Sequence, residues 1–211
     1  MIKGIIGAVI GDIAGSSRES KPLSRKTFKL FTKESSVTDD TALTIAVAEW
    51  MLDRKGVDVG KSLIKWATEY PHAGYGSSFK RFLANGSHMT PGSTHNGAVM
   101  RVSPVGYLAS SLEECLDLAR ESALPSHDSP QAIAGAQAAA VAIFMARTGS
   151  SKDSIREYLE KTFGYNLHRS CDEVREEIRL ARANREVDYV TSHERIVGAE
   201  PAVQDALIAF L

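Results

Sequence analysis

The stretch "SPQAIAGAQAAAVAIFMAR", Ser129 to Arg147, most constrains what this chain can fold into. Its small apolar residues recur on every turn rather than along one stripe, and a helix that is apolar all round belongs inside a core. Ser129 followed by Pro130 supplies an N-cap with proline at the first helical position, so a helix is predicted from there to about Arg147, deep in the protein.

The rest of the chain also reads as helices. Ile2, Ile5, Ile6, Val9, Ile10 and Ile13 follow the i, i+3, i+4 spacing of one helix face and predict a buried opening helix. Gly4, Gly7, Gly11 and Gly15 form a neighbouring stripe, where another backbone is expected to approach closely. A polar loop with Glu19 and Pro22 follows, from about Ser16 to Val37. Leu43, Ala46, Val47, Trp50 and Met51 mark a second helix, and Leu63, Ile64 and Ala67 a third within Val59 to Tyr70. "PHAGYGSS" and "ANGSHMTPGSTHNG" are rich in turn residues, with one or two helical turns at "FKRFL" between them. Helices are expected over Leu112 to Leu124, Ser151 to Phe163, Cys171 to Asn184 and from about Pro201 onward. Only "REVDYVTS" hints at a strand. The fold class is therefore all-α, a compact multi-helix bundle in one domain over residues 1–211.

Composition narrows the function. With 43% hydrophobic and 24% charged residues in 211, the chain has a globular balance, and a formal net charge of -1 gives no electrostatic case for nucleic acid or an anionic membrane. A small molecule or another protein is the expected partner. Cys115 and Cys171 sit in no disulfide or zinc pattern, which fits a reducing cytoplasm. The opening "MIKGIIGAVIGDIAG" is interrupted by Asp12, which argues against a signal peptide, and no stretch approaches the ~20 apolar residues of a membrane span.

Four polar clusters carry the candidate chemistry. Thr38, Asp39 and Asp40 open the second helix: they either cap it or offer hard oxygens to Mg²⁺, Mn²⁺ or Ca²⁺ from a rigid helix start. Asp12, in an apolar helix, is either at a helix end or buried and hydrogen-bonded, whereas Glu19 reads as a solvated loop acid or a site residue. In "HNGAVMRVSP", Asn96-Gly97 makes a turn into an apolar run. That turn either aims backbone N–H groups at a phosphate or ribose, or simply enters a core helix with Arg101 at its surface. His127 precedes the Ser129-Pro130 helix start, where anions bind well, although a lone loop histidine is usually structural or merely exposed.

Taken in order, "GAVIGDIAGSSRE", "TDDTALTIAVA", "YPHAGYGSSF", "NGAVMRVSPVG" and "SHDSPQAIAGAQAAAVAI" resemble the ADP-ribosylglycohydrolase family, which includes the dinitrogenase reductase-activating glycohydrolases, from Lys3 to Ala146. The resemblance implies an all-helical fold with a two-metal Mg²⁺ (or Mn²⁺) cluster at the base of an ADP-ribose cleft. The implied reaction is hydrolysis of an N- or O-glycosidic bond at C1″ of ADP-ribose on a protein side chain or small molecule. It further implies Thr38, Asp39 and Asp40 as metal ligands, Glu19 as the acid/base with Asp39 beside it, and Asp12 as a supporting carboxylate. Gly74, Tyr75 and Gly76 of "HAGYG", together with Asn96, Gly97, Met100, Arg101 and His127, are implied to line the cleft. The family's C-terminal Gly-Asp-x-Asp-Thr motif occurs nowhere in this sequence, which stops at Leu211 in mid-pattern. The expectation that follows is a core helix short of a neighbour, with homo-oligomerisation through that apolar end. Two other readings stay open: a module that binds ADP-ribose or a related nucleotide without assembling the metal pair, and a structural helical domain.

Overall fold

A computed structural model describes residues 2–19, 29–86, 92–186 and 188–211; the expectations for Pro22, for positions 87–91 and for Val187 lie outside the described residues. Eleven α-helices are formed there: α1 (Ile2–Ser16), α2 (Asp39–Leu52), α3 (Val59–Glu69), α4 (Ser77–Ala84), α5 (Ser103–Leu108), α6 (Leu112–Ala123), α7 (Pro130–Arg147), α8 (Lys152–Phe163), α9 (Cys171–Ala183), α10 (Tyr189–Val197) and α11 (Ala199–Phe210). Only a lone antiparallel bridge, His95 to Gly198, represents β-structure among the described residues. The all-α expectation therefore holds.

α7 is the axis. Ala132, Ala136, Ala138, Ala140 and Val141 are fully buried, and α5, α6, α8 and α11 all pack on it. Ser129 caps it by accepting from Ala132 N–H and donates its own hydroxyl to the Ser93 carbonyl at 2.6 Å, so the helix start also anchors the loop leading to Asn96. Ala199 N–H donates to Thr94 O and Thr94 Oγ1 to Glu194, which fixes that loop from its other side.

Three expectations are corrected. α1 is a flank rather than a buried helix: Ile6 and Ile10 are each 46% exposed, and it packs mainly on α2 and α5. Its glycines do not seat another backbone either. A Cβ on Gly7, Gly11 or Gly15 would meet nothing within 4 Å, while Gly4 faces the Tyr107 ring. Close backbone approach occurs instead at Gly106 of α5, where a Cβ would lie 2.6 Å from the Ala140 carbonyl and 2.7 Å from Ile143 Cβ. The strand hint at "REVDYVTS" resolves into the start of α10, capped by Asp188 accepting from Thr191 N–H. Its β-branched residues are overridden by packing on α9 and α11. Arg195 of α10 forks onto Asp205 of α11 at 2.8 and 3.2 Å and also reaches Glu177 of α9, so three helices share one charge network.

Opposite stability effects are expected at two glycines. Gly106→Ala should destabilise by about 1–3 kcal/mol through overpacking, whereas Gly7→Ala should stabilise by about 0.5–1 kcal/mol by reducing unfolded-state freedom. Urea unfolding monitored by circular dichroism checks both, and equal effects at the two sites would contradict the packing described.

Candidate functional site

The site begins with one carboxylate reaching from α1 to the start of α2. Asp12 accepts from Thr38 N–H at 2.9 Å, from the Thr38 hydroxyl at 2.6 Å, from Thr41 N–H at 3.2 Å and from the Thr41 hydroxyl. Three of these donors converge on Oδ2 and one, the Thr38 hydroxyl, on Oδ1, so Oδ1 keeps a lone pair. Thr38 is itself the N-cap of α2, accepting from Asp40 N–H at 3.3 Å. The cap reading of this segment is thus correct, and Asp12 is bonded rather than free.

Holding the start of α2 this way places Asp40 beside Asp12. Asp12, Glu19 and Asp40 each present an oxygen, all within 4.8 Å of one another, around a cavity of about 410 Å³ lined also by Ala8, Gly11, Gly15, Thr44 and Met100. The bare glycines of α1 leave this space open. Asp12 Oδ2 is spent on the threonines, which leaves its Oδ1 lone pair, with Glu19 and Asp40, as the oxygens open to a cation. Hard carboxylate oxygens at this spacing fit Mg²⁺ or Mn²⁺.

Asp39 lies outside that cluster. Its N–H donates to Ala73 O at 2.8 Å, and its side chain lines a second cavity of about 360 Å³, which adjoins the first at Met100. Burial, then the charge of Asp40, pushes its carboxyl up to about 7. Burial and the charge of Asp12 also raise Asp40, against the Thr38 hydrogen bond that lowers it, and Glu19 rises through burial and the charges of Asp40 and Asp12. Crowded carboxylates of this kind are relieved by a cation.

The second cavity gathers Gly76, Asn96, Gly97, Met100, Arg101 and His127 and does not include Gly74 or Tyr75. Gly74 adopts φ +95°, a left-handed turn that requires glycine, and Tyr75 turns into the core at 4% exposure with its ring 5.4 Å from Phe79. Gly97 makes room for a side chain: a Cβ there would lie 2.8 Å from His127 Cε1. Arg101 is fully buried rather than at the surface. Its Nη2 donates to Ser122 O and Ser126 Oγ at 2.8 Å each, while Nε and Nη1 have no partner among the described residues. Burial lowers it to about 9, so it remains a cation at neutral pH.

Several wall residues escaped the sequence reading. Ser77 and Ser78 belong to the first turn of α4, whose N-cap Gly76 supplies no side-chain cap, and Tyr189 and His193 come from α10. His193 stacks on Tyr189 at 5.0 Å and meets His95 edge-on at 5.1 Å. The i, i+4 spacing of Tyr189 and His193 was the available signal, hidden by the strand hint.

Stability should therefore depend on pH and on metal. A carboxyl whose folded pKa lies above its unfolded value holds a proton in the native state that the unfolded state has lost, so stability falls as pH rises from about 4 to about 7. Thermal melts without metal should show this fall, Mg²⁺ should offset it, and Asp39→Asn should raise metal-free stability at pH 7 by ~1 kcal/mol. A flat metal-free profile would contradict the crowding.

The chain is similar to known proteins. The chain is 32% identical over 145 residues to ADP-ribosylhydrolase ARH3 of Mus musculus, covering 61% of this chain and 39% of that protein. It is 28% identical over 199 residues to the Homo sapiens ADP-ribosylhydrolase ARH3, covering 76% and 53%, and 26% identical over 187 residues to the uncharacterized protein YegU of Escherichia coli K12, covering 74% and 56%. The chain thus spans about half the length of these relatives or less. A solved structure described as an ADP-ribosylglycohydrolase-related protein complex superposes with a TM-score of 0.65 at 22% identity, covering 98% of this chain and 73% of that one, which supports the fold. The ADP-ribosylglycohydrolase sequence model matches residues 1–211, and the chain belongs to that family.

Proposed function

We propose that this protein hydrolyses an N- or O-glycosidic bond at C1″ of ADP-ribose, releasing it from a modified protein side chain or a small molecule, with Mg²⁺ as the cation. The observation that carries the reading is the junction at Met100 between the acidic cavity of Asp12, Glu19 and Asp40 and the polar cavity holding Asp39, Asn96, Gly97, Arg101 and His127. A substrate lying across that junction has its anomeric carbon at the carboxylates and its phosphates toward the buried guanidinium and the uncapped first turn of α4.

Breaking a glycosidic bond builds oxocarbenium character, which carboxylates stabilise electrostatically. Glu19, at the cavity rim with its carboxyl raised by partial desolvation and then by the charges of Asp40 and Asp12, is suited to donate or accept the proton of the leaving group or of water. Asp39 and Asp40 hold negative charge beside the ribose, Thr38 keeps Asp40 in place, and Asp12 holds both helices in register. A divalent cation held by Glu19 and Asp40, with Thr38 and Asp39 at its edge, would supply charge to order ribose hydroxyls and acidify water. Gly76, Asn96, Gly97, Met100, Arg101 and His127 form the binding wall.

A second reading, a module that binds ADP-ribose without turnover, is favoured by one observation. Asp12 is committed to Thr38 and Thr41, which leaves few carboxylate oxygens for a metal pair. Incubation with ADP-ribosyl-arginine and ADP-ribosyl-serine peptides separates the two. Release of ADP-ribose that needs Mg²⁺ and falls by about 100-fold or more in Glu19→Gln and Asp40→Asn is expected of the hydrolase. ADP-ribose binding that survives chelation, with no release from either peptide, would establish the module instead.

A further inference from the structure

Ser126, which no reading of the sequence singled out, sits between two pocket residues in a buried chain of hydrogen bonds. Arg101 Nη2 donates to Ser126 Oγ at 2.8 Å, and Ser126 Oγ lies 2.8 Å from His127 Nδ1. All three side chains are buried, at 0%, 3% and 6% exposure. A guanidinium has no acceptor, so the direction of the first bond is fixed. A hydroxyl carries one proton, and within this group the only acceptor offered to it is His127 Nδ1.

If His127 carried its proton on Nδ1, Ser126 Oγ would accept from both neighbours and its own proton would be buried without an acceptor, a loss of about 1–3 kcal/mol. Protonation on both nitrogens meets the same objection and adds a second cation beside Arg101. Burial, then Arg101 and His95, lowers the imidazole to about 3, in agreement with a neutral ring. Nε2 therefore bears the proton. That edge of the ring lies over Gly97, with Nε2 at 3.0 Å from the position a Cβ would take, and His127 lines the cavity that also holds Asn96 and Asp39. Among the described residues Nε2 has no hydrogen-bond partner.

We propose that Ser126, held by Arg101, is a positioning residue that fixes His127 as a neutral Nε2–H donor aimed into the cavity, where it binds an acceptor oxygen of a nucleotide sugar. The relay is a property of the free protein, and only the identity of the bound oxygen rests on the reading of the site as an ADP-ribose cleft. It also explains a buried cation with no carboxylate partner: Arg101 sets a direction of hydrogen bonding that a neutral residue could reverse.

Two-bond ¹H–¹⁵N correlation spectra of the free protein, labelled at histidine, test this directly. His127 should show a protonated Nε2 and an unprotonated Nδ1 unchanged between pH 5 and 8. Ser126→Ala should populate both tautomers and weaken ADP-ribose about fivefold to tenfold, while Ser126→Thr, which keeps the hydroxyl, should restore both readouts. A proton on Nδ1 in the wild-type protein, or a Ser126→Ala variant unchanged in tautomer and affinity, would overturn the proposal. The wild-type spectrum decides the tautomer even where a variant fails to fold. The expected tautomer without ADP-ribose affinity would uphold the relay and remove the cleft assignment instead.

Discussion

The carboxylate of Asp12 is the contact on which the rest of the site depends. Two helices distant in sequence, α1 and α2, meet at a point where α2 exposes unsatisfied N–H groups and two threonine hydroxyls, and a single anion satisfies them. Ordinary capping by Thr38 alone would leave Thr41 N–H unbonded at the helix start. With Asp12 in place, α1 is tied to the core by hydrogen bonds although its apolar face is half exposed, and Asp40 is fixed a few ångströms from Asp12 and Glu19. The electrostatic consequence is a cluster of carboxylates whose mutual repulsion a divalent cation relieves.

On the far side of Met100 the logic reverses in sign. Arg101 is buried without a carboxylate, a costly arrangement partly offset by the bonds its Nη2 donates to Ser122 O and Ser126 Oγ. The carboxylate cluster and the cavity lined by Arg101 and Asp39 meet at Met100. The scaffold is stiff where this matters. α7 is packed on several sides, and its N-terminal Ser129 holds the loop that carries Asn96 and Gly97.

Much of the fold was legible because it rests on local pattern. Ala-rich α7, with Ser129 and Pro130 at its head, declared both its ends and its depth, and the amphipathic α6, α8 and α9 needed only their spacing. The misreadings came from tertiary context. Ile6 and Ile10 fit a buried stripe, yet nothing among the described residues covers them, and Gly7, Gly11 and Gly15 border open space where a helix contact was expected. For the site, Asp12, Glu19 and Asp40 were identified as residues, but their convergence depends on long-range bonds that spacing does not encode. Tyr75 fitted the family's loop and turned inward because its ring had Phe79 to pack against. Ser126 was invisible for the same reason: its meaning lies in two neighbours brought together by folding.

Asp12 organises the cation site through its bonds to Thr38 and Thr41. Titration calorimetry of Mg²⁺ into the wild-type protein and into Asp12→Asn tests it most directly, because the amide cannot accept from all four of the Thr38 and Thr41 donors. A fall in Mg²⁺ affinity of about tenfold or more, with the helical content unchanged, is the expected result. Equal affinity in the two proteins would contradict the account.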